Sequence, residues 1–139
     1  MMKEFSFFLG QWDLDYKIPK SSFSEAGTDK GTGTFSSMLN NNFILFEYST
    51  ASGSEAKGIF ARDSKAGIYR YWWFENSGNY LSASCNFINN DTLMMHWQDS
   101  LLVQTFKKCG NEKIILTMQQ PSSQGNYETI MEVVMTKKH

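Results

Sequence analysis

Cysteine, proline and histidine each occur only twice among the 139 residues of this chain. Two thiols, Cys85 and Cys109, exclude a disulfide-dense secreted scaffold and offer no paired metal-ligand spacing. The histidines, His96 and His139, form no His-x-His or His-Glu-x-x-His pattern, so no metal or cofactor is expected. No apolar run nears the roughly 20 residues of a membrane helix. The net charge is −1 with interspersed signs, and the longest basic runs are the pairs Lys107-Lys108 and Lys137-Lys138, which excludes a nucleic-acid footprint. Also missing are a G-x-S-x-G elbow and the third glycine that a dinucleotide loop would need after Gly31-Thr32-Gly33, so no catalytic residue is assigned. Residues 1–9 contain Lys3 and Glu4 and no long apolar stretch. The expectation is therefore no secretory leader, two reduced thiols and a cytoplasmic protein.

What is present points to strands. Hydrophobic residues make up 41% and aromatics 15%, with Gly, Asn and Ser recurring between the aromatic runs. That mixture favours strands and tight turns over helices. The length suits one domain spanning 1–139 with a core of its own.

Phe5, Phe8 and Leu9 stand at i, i+3 and i+4, which predicts a short amphipathic N-terminal helix ended by Gly10. Trp12, Leu14, Tyr16 and Ile18 then alternate with Gln11, Asp13, Asp15 and Lys17, the period of a half-buried antiparallel strand. Pro19 stops it, and a polar loop runs to Asp29. Further strands are predicted at 31–39, 43–51, 56–62, 68–75, 80–88, 92–98, 101–107, 113–120 and 127–137. Asn-, Gly- and Ser-rich turns separate them, including Asn40-Asn41-Asn42 and Asn76-Ser77-Gly78-Asn79. Ten strands joined by short connections close most simply into an all-β, antiparallel up-and-down barrel, which also removes exposed sheet edges.

Leu9-Gly10-Gln11-Trp12 resembles the G-x-W opening of lipocalins, fatty-acid-binding proteins and other calycin barrels. The ordered set that follows resembles a bacterial lipocalin-like family known as a domain of unknown function. That set comprises Gly31-Thr32-Gly33-Thr34-Phe35, Phe46-Glu47-Tyr48, Ile59 to Asp63 before Tyr69 to Trp73, and a basic C-terminal strand. The resemblance implies a lipocalin-like barrel in which Trp12 packs across one end behind the helical lead-in. It implies no particular chemistry. The related nitrobindins bind haem through a histidine near the C-terminal end. The last two predicted strands here contain none, and the chain departs from that family at this residue.

The hairpin 68–88 carries the functional question. With Ser77-Gly78 as a two-residue loop, one face holds Ile68, Arg70, Trp72 and Phe74 with Leu81, Ala83, Cys85 and Phe87. The other holds Tyr69, Tyr71, Trp73 and Glu75 with Tyr80, Ser82, Ser84 and Asn86. If the first face is interior, Arg70 is a buried cation needing an internal acid or a ligand carboxylate. If the second is interior, Trp73 and Tyr71 line the barrel and Arg70 is on the surface. A one-residue slip exchanges the two, and both assignments stand. The expected function is uptake of a small apolar or amphipathic molecule inside the barrel. Its expected lining is Trp12, Tyr16, Tyr48, Arg70, Trp72, Trp73 and His96, with Arg70 or His96 orienting the polar end. One alternative is an isomerase or hydrolase pairing His96 with Glu47 inside the barrel. The other is an interaction module with a filled core. The expected partners are a small molecule, with neither nucleic acid nor membrane; oligomeric state is open, a dimer being one option.

Overall fold

The computed structural model describes residues 2–139. A 3-10 helix, Lys3–Phe8, leads into ten antiparallel strands that close into a barrel. They are β1 (Gly10–Ile18), β2 (Gly27–Met38), β3 (Phe43–Thr50), β4 (Glu55–Asp63), β5 (Ile68–Glu75), β6 (Tyr80–Asn89), β7 (Thr92–Trp97), β8 (Val103–Lys108), β9 (Lys113–Pro121) and β10 (Tyr127–Lys137). Each strand pairs with its neighbour in sequence, and β1 closes the ring against β10 from Trp12↔Lys137 to Lys17↔Glu132. The predicted fold class and the ten strands are observed. Among the described residues, no helix is long and apolar enough to cross a membrane.

Strand ends differ from expectation mainly at β2. It begins at Gly27 rather than Gly31, because the end of β1 needs a partner and finds it in Lys17↔Thr28 and Ile18↔Gly27. The predicted left-handed turn after β2 includes Leu39 as well as Asn40 and Asn41, with φ of 52, 61 and 64°.

Alternation along each strand sends one set of side chains inward, and these fill the two halves of the barrel differently. In the half that holds the chain's N-terminal residues, Phe5 and Phe8 lie three apart, on one side of a helix with three residues per turn. Phe5 packs on Phe60, Tyr69 and Phe87 with ring centroids 4.9, 5.0 and 5.3 Å away. Phe8 lies 5.1 Å from Phe35. The Trp12 indole N–H donates to the Phe8 carbonyl at 2.7 Å, tying the helix to β1. Burial and Glu4 hold the Tyr69 hydroxyl in its neutral form, and the Arg62 guanidinium sits 4.8 Å above the Tyr69 ring. This end of the barrel is plugged. Burying each Phe contributes about 1.5–3 kcal/mol, and each aromatic pair about 0.5–1.5 kcal/mol more.

Candidate functional site

The other half is not filled. A cavity of about 200 Å³ lies between β1, β3, β5 and β7 on one side and β8, β9 and β10 on the other. Its first wall is aromatic: Tyr16, Phe46, Tyr48, Tyr71, Trp73 and Trp97. Tyr48 stands 5.3 Å from Trp73 and 6.2 Å from Tyr16, and Tyr71 stands 6.1 Å from Trp73 and 5.8 Å from Trp97, centroid to centroid. The facing wall is flexible and aliphatic, built from Leu116 and Met118 of β9 and Met131, Val133 and Met135 of β10. Leu81, half exposed, and Glu75 stand at the rim.

Two strand glycines make this packing possible. A Cβ on Gly58 would sit 1.9 Å from the Tyr71 hydroxyl oxygen, and one on Gly33 would sit 2.7 Å from Cε1 of Phe46. The aromatic wall lies directly over backbone that only glycine leaves bare.

Polar groups in the cavity are few. Gln104 is 6% exposed, and its side-chain oxygen accepts the Trp97 indole N–H at 3.2 Å. Glu75 accepts the Trp73 indole N–H at 2.9 Å and the Ser77 hydroxyl at 3.0 Å. Burial pushes the Tyr16 phenol up, helped by Tyr48 and Asp29. Burial likewise raises Tyr48, with Glu75 and Asp29 adding to it. Both are neutral hydroxyls at physiological pH. Deeper in the barrel, burial pushes the Cys85 thiol up to about 12, which makes it a poor nucleophile.

Tyr16, Tyr48 and Trp73 line the cavity as expected from the sequence. Trp12 is buried below it, against the plug. Arg70, Trp72 and His96 are not in the interior. They lie together on the outer surface, where Trp72 is 41% exposed and Arg70 Nε contacts Asp63 at 3.2 Å. His96 alternates outward on β7 between the buried Met95 and Trp97, and for Arg70 and Trp72 the cause is the β5–β6 turn. Gly78 has φ 93° and its N–H donates to the Glu75 carbonyl, so the loop holds three residues, Asn76 to Gly78, rather than two. Phe74 therefore faces Tyr80, and Tyr69 faces Cys85. The inner surface combines Tyr69, Tyr71, Trp73 and Glu75 with Leu81, Ala83, Cys85 and Phe87. That is half of each face drawn from the two-residue loop.

The proposed acid–base pair does not form. His96 and Glu47 both point outward from strands that are not neighbours, and Glu47 pairs with Lys57 at 3.1 Å. His139 pairs with Glu112 at 2.6 Å on the exposed surface, so neither histidine reaches the interior. Three larger hollows, of about 630, 390 and 330 Å³, lie on the outer face of the sheet and open broadly to solvent. The interior cavity is smaller but mostly apolar, with Gln104 and Glu75 as its few polar groups, the character of a small-molecule site. Gln104 and Glu75 complete that site beyond the expected lining. Glu75 shares its alternation with Trp73 in the sequence, whereas Gln104 sits in a strand with apolar residues at both alternations.

No family model and no curated protein sequence matches the chain. Among solved structures, the crystal structure of Rv2717c from M. tuberculosis superposes with a TM-score of 0.73 at 12% identity, covering 99% of this chain and 97% of that one. A de novo designed fluorescence-activating β-barrel superposes with a TM-score of 0.47 at 14% identity, covering 99% and 100%. At such identities the first likeness shows a shared barrel fold and nothing of function.

Proposed function

We propose that the protein binds a small apolar or amphipathic molecule in the unplugged half of its barrel, with residues 1–139 acting as one lipocalin-like domain. The observation that carries this reading is the unfilled apolar cavity of about 200 Å³ behind a rim of Glu75 and Leu81. An engineered apolar cavity of about 150 Å³ is enough to hold benzene, so this one suits a single ring or a short branched chain. Trp73 and Tyr48 give the ligand flat faces, and Met118 and Met131 adapt to its outline. A hydrogen bond from the Gln104 amide, whose oxygen is engaged by Trp97, would orient it. The unpaired Cys85 and Cys109 support a reducing, cytoplasmic setting.

The test is native mass spectrometry and thermal-shift screening of the purified protein against single-ring and short-chain compounds, with Leu116→Trp as the filled control. Binding by the unaltered protein that disappears in L116W is the expected result. No bound species and no shift across the panel would overturn the reading.

A further inference from the structure

Resting on the reading of the cavity as a ligand site, we infer that the ligand is a cation: a small ammonium compound whose charged end sits among Tyr16, Tyr48 and Trp73 beside Glu75.

The charged side chains on the inner side of the rim are acidic. Glu75 lines the cavity, and no Lys or Arg does. Asp29 is the direct cross-strand partner of Tyr16 and so shares its side of the sheet. The lysines of the same rim alternate to the outside. Lys30 is tied to Asp15 at 3.5 Å and Lys57 to Glu47 at 3.1 Å, both on the outer surface. Lys17 alternates outward between Tyr16 and Ile18. The one arginine that the sequence offered for a ligand carboxylate, Arg70, is also outside, against Asp63. The charged groups on the inner side of the mouth are therefore acids, while its strand lysines are outside, Lys30 and Lys57 neutralised by outer carboxylates, a field that draws cations in and repels anions.

The site behind the rim has the chemistry for such a charge. Glu75 belongs to none of the five ion pairs among the described residues. Its two oxygens each take one neutral donor, from Trp73 and from Ser77. An ionised carboxylate offers about four acceptor sites, which leaves room for ammonium N–H groups. Tyr48 stands between Trp73 and Tyr16, 5.3 and 6.2 Å away centroid to centroid, and the faces of such rings attract a cation. A carboxylate ligand in the same place would meet Glu75 with no compensating positive group.

The experiment titrates the full chain with 2-phenylethylammonium, 2-phenylethanol and phenylacetate, three ligands of nearly equal size, following tryptophan fluorescence. The ammonium is expected to bind about tenfold or more tighter than the alcohol, and phenylacetate weakest. In Glu75→Gln, which keeps an acceptor for the Trp73 indole, the ammonium should lose that advantage while the alcohol binds as before. Trp73→Leu should weaken the ammonium more than the alcohol. If the alcohol or phenylacetate binds as tightly as the ammonium, or E75Q leaves the ratio unchanged, the charge assignment falls and the cavity reading survives. If none of the three binds and the wider compound panel also fails, both fall.

Discussion

Gly58→Ala is a one-carbon change with a geometrically defined outcome. The added Cβ would lie 1.9 Å from the hydroxyl oxygen of Tyr71, 2.4 Å from Cζ and 2.6 Å from Cε1, and Tyr71 is fully buried. Ordinary contact begins near 3.4 Å, so the ring must move. Its way out leads into the cavity, because the tilted Phe60 ring packs 4.2 Å from its centre on the plugged side. Overpacking of this kind costs about 1–3 kcal/mol. Replacing a strand glycine recovers about 0.5–1 kcal/mol of backbone entropy, so the net loss is roughly 1–2 kcal/mol, or a Tm lower by about 3–8 °C. Gly27→Ala is the control, since nothing lies within 4 Å of its added Cβ and its φ is not left-handed. G27A should melt at or slightly above the parent temperature. Differential scanning calorimetry of both variants reads the difference, and ligand affinity should fall in G58A alone. Tyr71→Leu should make the G58A loss smaller than the sum of the two single changes. Equal melting of G58A and G27A would refute the packing described for the aromatic wall.

Three further outcomes are expected. Tyr16, Tyr48, Tyr69 and Tyr71 all have folded-state pKa values raised, chiefly by burial. Their neutral forms therefore stabilise the fold fully below the ordinary tyrosine value near 10, and that stability is lost as pH rises above it; the buried Cys85 thiol adds a loss that begins near 9, so urea midpoints should be flat from pH 7 to about 8.5, decline from there and fall steeply above about 10. A midpoint unchanged at pH 11 would contradict this. Phe5→Ala removes a ring packed on three others and should cost about 3–5 kcal/mol by urea denaturation, whereas loss below about 1 kcal/mol would mean that the helix is not part of the core. Arg70→Ala and His96→Ala change only the outer surface and should leave binding of any interior ligand within about twofold, while Tyr48→Leu weakens it; a large effect of R70A would move the site to the outside.

The strands were legible because polar and apolar residues alternate in β1 and because turn residues recur at short intervals. Strand β6 carries a contrast in its residues, Leu81, Ala83, Cys85 and Phe87 against Tyr80, Ser82, Ser84 and Asn86, but tying its face to that of β5 through a two-residue loop leaves the hairpin's orientation open. Strand β5 offers no such contrast: Trp72 and Phe74 on one side match Tyr71 and Trp73 on the other. Its orientation depends on whether the turn holds two residues or three, which rests on Gly78 taking φ 93° and is not visible in residue types. An expected lining that includes both Trp72 and Trp73 reflects that open choice, and the structure places Arg70 and Trp72 outside. The cavity itself was beyond reading. Whether ten strands enclose space depends on how Phe46 and Tyr71 lie over Gly33 and Gly58, a matter of rotamers rather than composition.

The pairing of Trp12 with Lys137 has a bearing on how the chain is made. Strand β1 has two hydrogen-bonding edges. β2 satisfies one with residues Gly27 to Phe35, soon after β1 in the chain, but the other waits for β10. While the ribosome is still producing the middle of the chain, a growing curved sheet presents an open edge on β1 and another on its newest strand. Forming the last seam brings together residues separated by almost the whole sequence, the slowest kind of contact to make. Until then the inner aromatic wall is open to water and to other chains, so the protein's vulnerable period is its birth rather than its working life.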